Sequence, residues 1–180
     1  MIKQFTCQSA ILGIIIGAVF TVISIHIIPE FNLVTDYLSA LGVNGTGAIV
    51  FNIGTIISAI MVLPIFAKIN DFLGNSISSR IGMVLGIVSC IGIIGVAIFP
   101  MGMAIHTGAA ALFFATMGFA ILFFGIEIFP KNNTLGIFSL LVVFIDVFML
   151  ANPFAAFVEK IAVSMILLWI ALLAVYMMRE

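Results

Sequence analysis

Charge is what this sequence most lacks. Of its 180 residues 7% are charged and 64% hydrophobic, with a mean hydropathy of +1.43. A soluble domain carries about 25% charged and 45–50% apolar residues. The chain has too little polar surface to cover a water-exposed fold, which excludes a soluble enzyme and a disordered chain. Six Lys+Arg at a net charge of −1 cannot build a phosphate-binding stripe, so nucleic acid is excluded as a partner. Cysteine is scarce as well. Cys7 lies before the first long apolar run and Cys90 within the third, depths that do not suit a disulfide. Gly-rich phosphate loops, close His pairs and Cys clusters are missing, so neither a cofactor nor a metal site is expected.

Long apolar runs fill the chain instead. A spanning helix needs roughly 20 mostly apolar residues. Six segments meet or approach that length, at about 9–28, 47–67, 81–99, 107–128, 134–151 and 161–178. The gaps hold Pro29-Glu30, Asn70-Asp71, Pro100, Pro130 and Asn152-Pro153, residues that end helices. The runs do not alternate, which excludes a transmembrane barrel. The first run is longer than a signal peptide's apolar stretch and no Ala-x-Ala site follows, so it is expected to be retained. The expected fold is all-α and polytopic: six transmembrane helices in one bundle, a single domain over 1–180.

Basic residues in short loops set orientation. Lys3, Lys68, Arg80, Lys131 and Arg179 fall on one side and Lys160 alone on the other. This places both termini in the cytoplasm of a cell-membrane protein, in keeping with an even number of spans. On the opposite, outer side gather Asp36, Ser39, His106, Glu159 and Lys160, with Asn52 and Asp146 close by inside spans. Intramembrane carboxylates usually face the bundle interior with a partner, and Lys160, His106 and His26 are the candidates for Asp146. Phe31, Val34, Leu38 and Leu41 recur at helical spacing opposite Asn32, Asp36 and Ser39, and Gly42 follows. That pattern predicts a short amphipathic outer helix between spans one and two, ended by a left-handed glycine. Gly13/Gly17 and Gly82/Gly86 are small-xxx-small pairs suited to close packing inside the bundle or to a homo-oligomer face. Glu127 is expected to reach the head groups beside Lys131, and Trp169 to pack within the bundle.

Tyr37-Leu38-Ser39-Ala40-Leu41-Gly42 followed by Phe51-Asn52-Ile53-Gly54 resembles a prokaryotic family of six-helix membrane proteins, the domain of unknown function 998. Phe99-Pro100 with His106 soon after, and Glu159-Lys160 leading to Leu167-Leu168-Trp169, fit the same pattern. A more distant likeness runs to the DRAM-like membrane proteins, which also pair a Ser-containing outer loop with a later His. The resemblance implies a six-helix membrane fold and marks Ser39, Asn52, His106 and Glu159 as recurring polar positions. It implies no activity.

The residue types allow three functions. An outward-facing polar pocket of Asp36, Ser39, Asn52, His106, Asp146, Glu159 and Lys160 would bind a lipid head group or a small polar ligand, with membrane lipids as partners. Ser39, His106 and an acid (Asp36, Glu159 or Asp146) contain the types of a nucleophile, base and orienter, hence a membrane-embedded hydrolase or lipid-modifying enzyme. The chain departs there from ceramidase-type hydrolases, whose metal site uses three His where this chain has two. Asp146, Asn52, Pro64 and the Gly-rich third span suit a small transporter or channel.

Overall fold

Hydrocarbon offers no partner for backbone N–H and C=O groups, so a chain this apolar must satisfy them within each segment, as helices do. A computed structural model describes residues 2–151 and 156–180. It has α1 (Ile2–Ile27), α2 (Gly45–Leu73), α3 (Ile77–Ile98), α4 (Ala104–Ile128), α5 (Asn133–Ala151) and α6 (Ala156–Arg179), and no strand among the described residues. All six helices are long and apolar enough to cross a membrane. The protein is an all-α, multi-pass membrane protein. The break expected at Asn152-Pro153 lies outside the described residues.

Several helices outrun their apolar cores. α1 takes in Lys3 and Gln4, with the Lys3 ammonium 5.6 Å from the centre of the Phe72 ring. Cys7 therefore lies inside the first span rather than before it, and both cysteines are free and buried. α2 continues through Asn70 and Asp71 because Gly74 supplies the stop, at φ +102 with its N–H bonded to the Asn70 carbonyl. Ser76 then caps α3 by accepting the Ser79 N–H at 3.0 Å.

Each helix packs against its sequence neighbours, and α6 returns to close a ring against α1. One face of this ring carries the ends Ile2, Leu73, Ile77, Ile128, Asn133 and Arg179, and is called the terminal face here. The distal face carries the loop between α1 and α2. Near the terminal face the middle of the ring is filled. Phe66 and Phe124 stack at 6.3 Å between centroids, and Phe124 and Trp169 at 6.2 Å. Trp169 is fully buried, as expected, and donates through Nε1 to Ser139 Oγ at 2.8 Å. The glycine pairs serve contacts within the chain: Gly13 and Gly17 lie on Met61 and Ser58, Gly82 on Phe124 and Gly86 on Phe66. Glu127, half-buried, has a partner within the protein. It accepts from Ser76 Oγ at 2.5 Å, tying α4 to the α2–α3 turn.

The loop between α1 and α2 holds a helix, but a shorter and tighter one than an amphipathic α-helix over 31–41. It is a 3-10 helix over Leu38–Gly42. Asn32 and Asp36 explain the difference, since short polar side chains compete with helical hydrogen bonds. Asn32 Oδ1 accepts the N–H of Val34 at 2.8 Å, and Asp36 Oδ2 accepts the N–H of Asn32 at 2.8 Å. Residues 32–36 thus form a side-chain-braced turn and Val34 stays 68% exposed. Gly42 is not a left-handed stop. It sits inside the 3-10 helix, buried against Phe51 and Asn52, where a Cβ would overlap Asn52 Oδ1.

Candidate functional site

Above the stacked rings the ring of helices is hollow. A cavity of about 410 Å³ opens at the distal face and runs down between α1, α2, α3, α4 and α6. Its mouth carries Leu38, Ser39, His106, Glu159 and Lys160. Its lower walls are Val62, Cys90, Phe114, Met117 and Ile170. At about 1.5 Å of rise per residue, Met117 lies roughly 20 Å below the start of α4. Four hydroxyl residues, Thr21, Thr55, Ser58 and Ser164, interrupt this apolar shaft. The sequence gives them no motif, only scattered Ser and Thr within apolar runs.

Local structure fixes each mouth residue. Glu159, in the first turn of α6, accepts the Leu38 N–H at 2.9 Å, and the Ser39 N–H is directed at the same carboxylate. An acid in that place serves the exposed donors at the start of the 3-10 helix. Lys160, next in sequence, donates to the Asp36 carbonyl and, at 3.0 Å, to the Ala156 carbonyl. Two adjacent side chains of α6 therefore strap the loop across the mouth. His106, one turn into α4, is buried at 6% exposure and its Nδ1 lies 2.8 Å from the Phe99 carbonyl. A carbonyl only accepts, so Nδ1 carries the proton. Both His106 and Lys160 lie within electrostatic reach of Glu159. Ser39 Oγ faces Met101 Sδ at 3.7 Å.

Four of the seven expected pocket residues, Ser39, His106, Glu159 and Lys160, thus line one cavity. The other three do not line it. Asp36 uses both carboxylate oxygens within its own loop, on the Asn32 N–H and the Thr35 hydroxyl. Asn52 donates to the Gly42 carbonyl at 3.1 Å, holding the 3-10 helix to α2. Asp146 is 1% exposed and packs on Gly118 of α4. Neither of its oxygens has a hydrogen-bond partner among the described residues, so the expected pairing with Lys160, His106 or His26 is not made. His26 is exposed at the end of α1.

The geometry limits the chemistry. The hydroxyl of Ser39 is turned to Met101 rather than to His106, so no nucleophile–base hydrogen bond is formed between them. Among the described residues no cluster of three or more His, Cys, Asp or Glu is placed to hold a metal ion. What the site does offer is a charged, hydrogen-bonded rim above a deep apolar chamber.

The side walls matter as much as the rim. α1 is held to α2 along its length, by Ser9 Oγ on the Met61 carbonyl, Ser24 Oγ on the Gly47 carbonyl and the close approach at Gly13 and Gly17. Near the terminal face Cys7 and Ala10 are wholly buried in the same cluster as Leu173 and Ala174 of α6. Toward the distal face Ala18, Val22 and Ser164 line the cavity yet are exposed, Val22 at 60%. The cavity is therefore accessible along its α1 and α6 walls. No curated protein and no solved structure gives a match to the chain. The model of one protein family matches residues 11–176. The chain belongs to that family, described as Protein of unknown function (DUF998).

Proposed function

We propose that the protein binds a membrane lipid, with the head group at the rim of Ser39, His106, Glu159 and Lys160 and a hydrocarbon chain in the shaft. The single observation that carries this reading is that Ala18, Val22 and Ser164 line the cavity and are exposed, which supports a lateral entrance between α1 and α6. A water-soluble ligand would have no use for an entrance through Ala18 and Val22 at hydrocarbon depth, whereas a lipid reaches it without leaving the bilayer. The polar rim over apolar walls suits the same ligand, because ligand sites pair apolar linings with a few placed polar groups. The stacked Phe66, Phe124 and Trp169 below the shaft favour a closed-ended chamber over a transport path. The separation of the Ser39 and His106 hydrogen bonds favours binding over hydrolysis. In the cell membrane, with both termini cytoplasmic, the lipid would come from the outer leaflet.

The test is native mass spectrometry of protein extracted in mild detergent, comparing wild type with Ala18→Trp. Wild type is expected to retain lipid adducts, and an indole filling the side entrance to reduce them severalfold. Wild type free of lipid, and unable to take it up when phospholipid is added, would overturn the reading.

A further inference from the structure

The rim has an asymmetry of hydrogen-bonding character. Most of its donors point into the protein. The Leu38 and Ser39 N–H groups serve Glu159, the Ser39 hydroxyl faces Met101, and the Lys160 ammonium holds the carbonyls of Asp36 and Ala156. His106 gives its one neutral-state proton to Phe99 through Nδ1, which leaves Nε2 as a lone-pair acceptor. That ring is nine-tenths buried and lines the cavity. Beside it stands the carboxyl group of Glu159. Apart from the third N–H of Lys160, what the rim presents to a head group is therefore the acceptor nitrogen of His106.

Resting on the lipid-binding reading above, we infer that the site selects lipids whose head group donates a hydrogen bond, from a hydroxyl or a primary ammonium, to Nε2 of His106. A quaternary ammonium head group has no proton to give and leaves that nitrogen unpaired. An unmade hydrogen bond at a buried polar atom is what a site rejects most effectively. Phosphatidylethanolamine and phosphatidylglycerol share the required chemistry through different groups, and phosphatidylcholine lacks it.

Native mass spectrometry of the delipidated protein, titrated with the three phospholipids bearing identical acyl chains, tests this. Wild type at pH 8 is expected to bind the ethanolamine and glycerol lipids about fivefold more tightly than the choline lipid, the scale of one hydrogen bond. The ethanolamine and glycerol arms identify which donor is preferred. His106→Phe keeps a flat ring but has no acceptor, and is expected to bind all three alike. His106→Gln returns an acceptor oxygen near the Nε2 position and is expected to restore part of the preference. Equal binding of all three lipids to wild type would overturn the inference while leaving lipid binding standing. An undiminished preference in His106→Phe would overturn it too, and failure of wild type to bind any lipid would remove the reading beneath it. If His106→Phe does not fold, the wild-type series and the glutamine variant still decide.

Discussion

Asp146 illustrates what a single residue reveals in sequence and what it hides. A lone carboxylate inside an apolar run is visible at once, and burial follows from the cost of exposing it to lipid. The neighbour it meets is not visible, because that depends on how α4 and α5 are rotated. The structure sets it on Gly118, where a methyl group would occupy the place of Oδ2. Gly118→Ala is thus expected to destabilise the bundle, by about 1–3 kcal/mol as overpacking does. Asp146→Ala removes the obstructing carboxylate, so the double variant should lose less than the sum of the two singles. Thermal unfolding in one detergent, run as a four-protein cycle, reads this coupling. Strictly additive losses would mean that the two side chains do not meet. Glu127 carries the same lesson: its position near a helix end was legible, but its bond to Ser76 belongs to the tertiary arrangement.

Among the elements, the loop between α1 and α2 is the one whose form departed from its pattern. The apolar spacing of Phe31, Val34, Leu38 and Leu41 predicted an α-helix, yet Asn32 and Asp36 closed a turn first, and only Leu38–Gly42 became helical. Period alone could not arbitrate, because the capping bonds of two short side chains outweigh a weak amphipathic face. The strap from α6 was hidden for a different reason. Glu159 is far from Leu38 in sequence, and their meeting depends on the ring closing. This strap has a measurable consequence. Glu159→Ala leaves the N–H groups of Leu38 and Ser39 without their carboxylate, so amide exchange of the peptide covering 31–42 should speed severalfold, with α3 unchanged. Glu159→Gln keeps an acceptor oxygen and should speed it less. Exchange in that peptide identical to wild type would show that Glu159 does not hold the loop.

For the whole molecule, six helices could be counted from hydropathy because each run is long and each gap holds breakers. The closed ring order also follows from short connections, which force neighbours in sequence to be neighbours in space. The hollow could not be read in this way. It lies distal to Phe66, Phe124 and Trp169, which concentrate aromatic bulk near the terminal face. Which leaflet feeds that hollow depends on orientation, and the charge distribution carries a definite expectation. With Lys3, Lys68, Arg80, Lys131 and Arg179 at the terminal face and Lys160 at the distal face, the terminal face is expected in the cytoplasm. Cys7 and Cys90 are 0% and 2% exposed, so a membrane-impermeant maleimide leaves them untouched and a single introduced thiol reports its own side. Asn44→Cys, at the exposed start of α2, should be labelled on intact cells. Asp71→Cys, exposed at the other end of the same helix, should react only after permeabilisation. The reverse pattern would turn the molecule over, and the lipid proposed to bind beside His106 would then come from the cytoplasmic leaflet, with that leaflet's head groups setting what the rim meets.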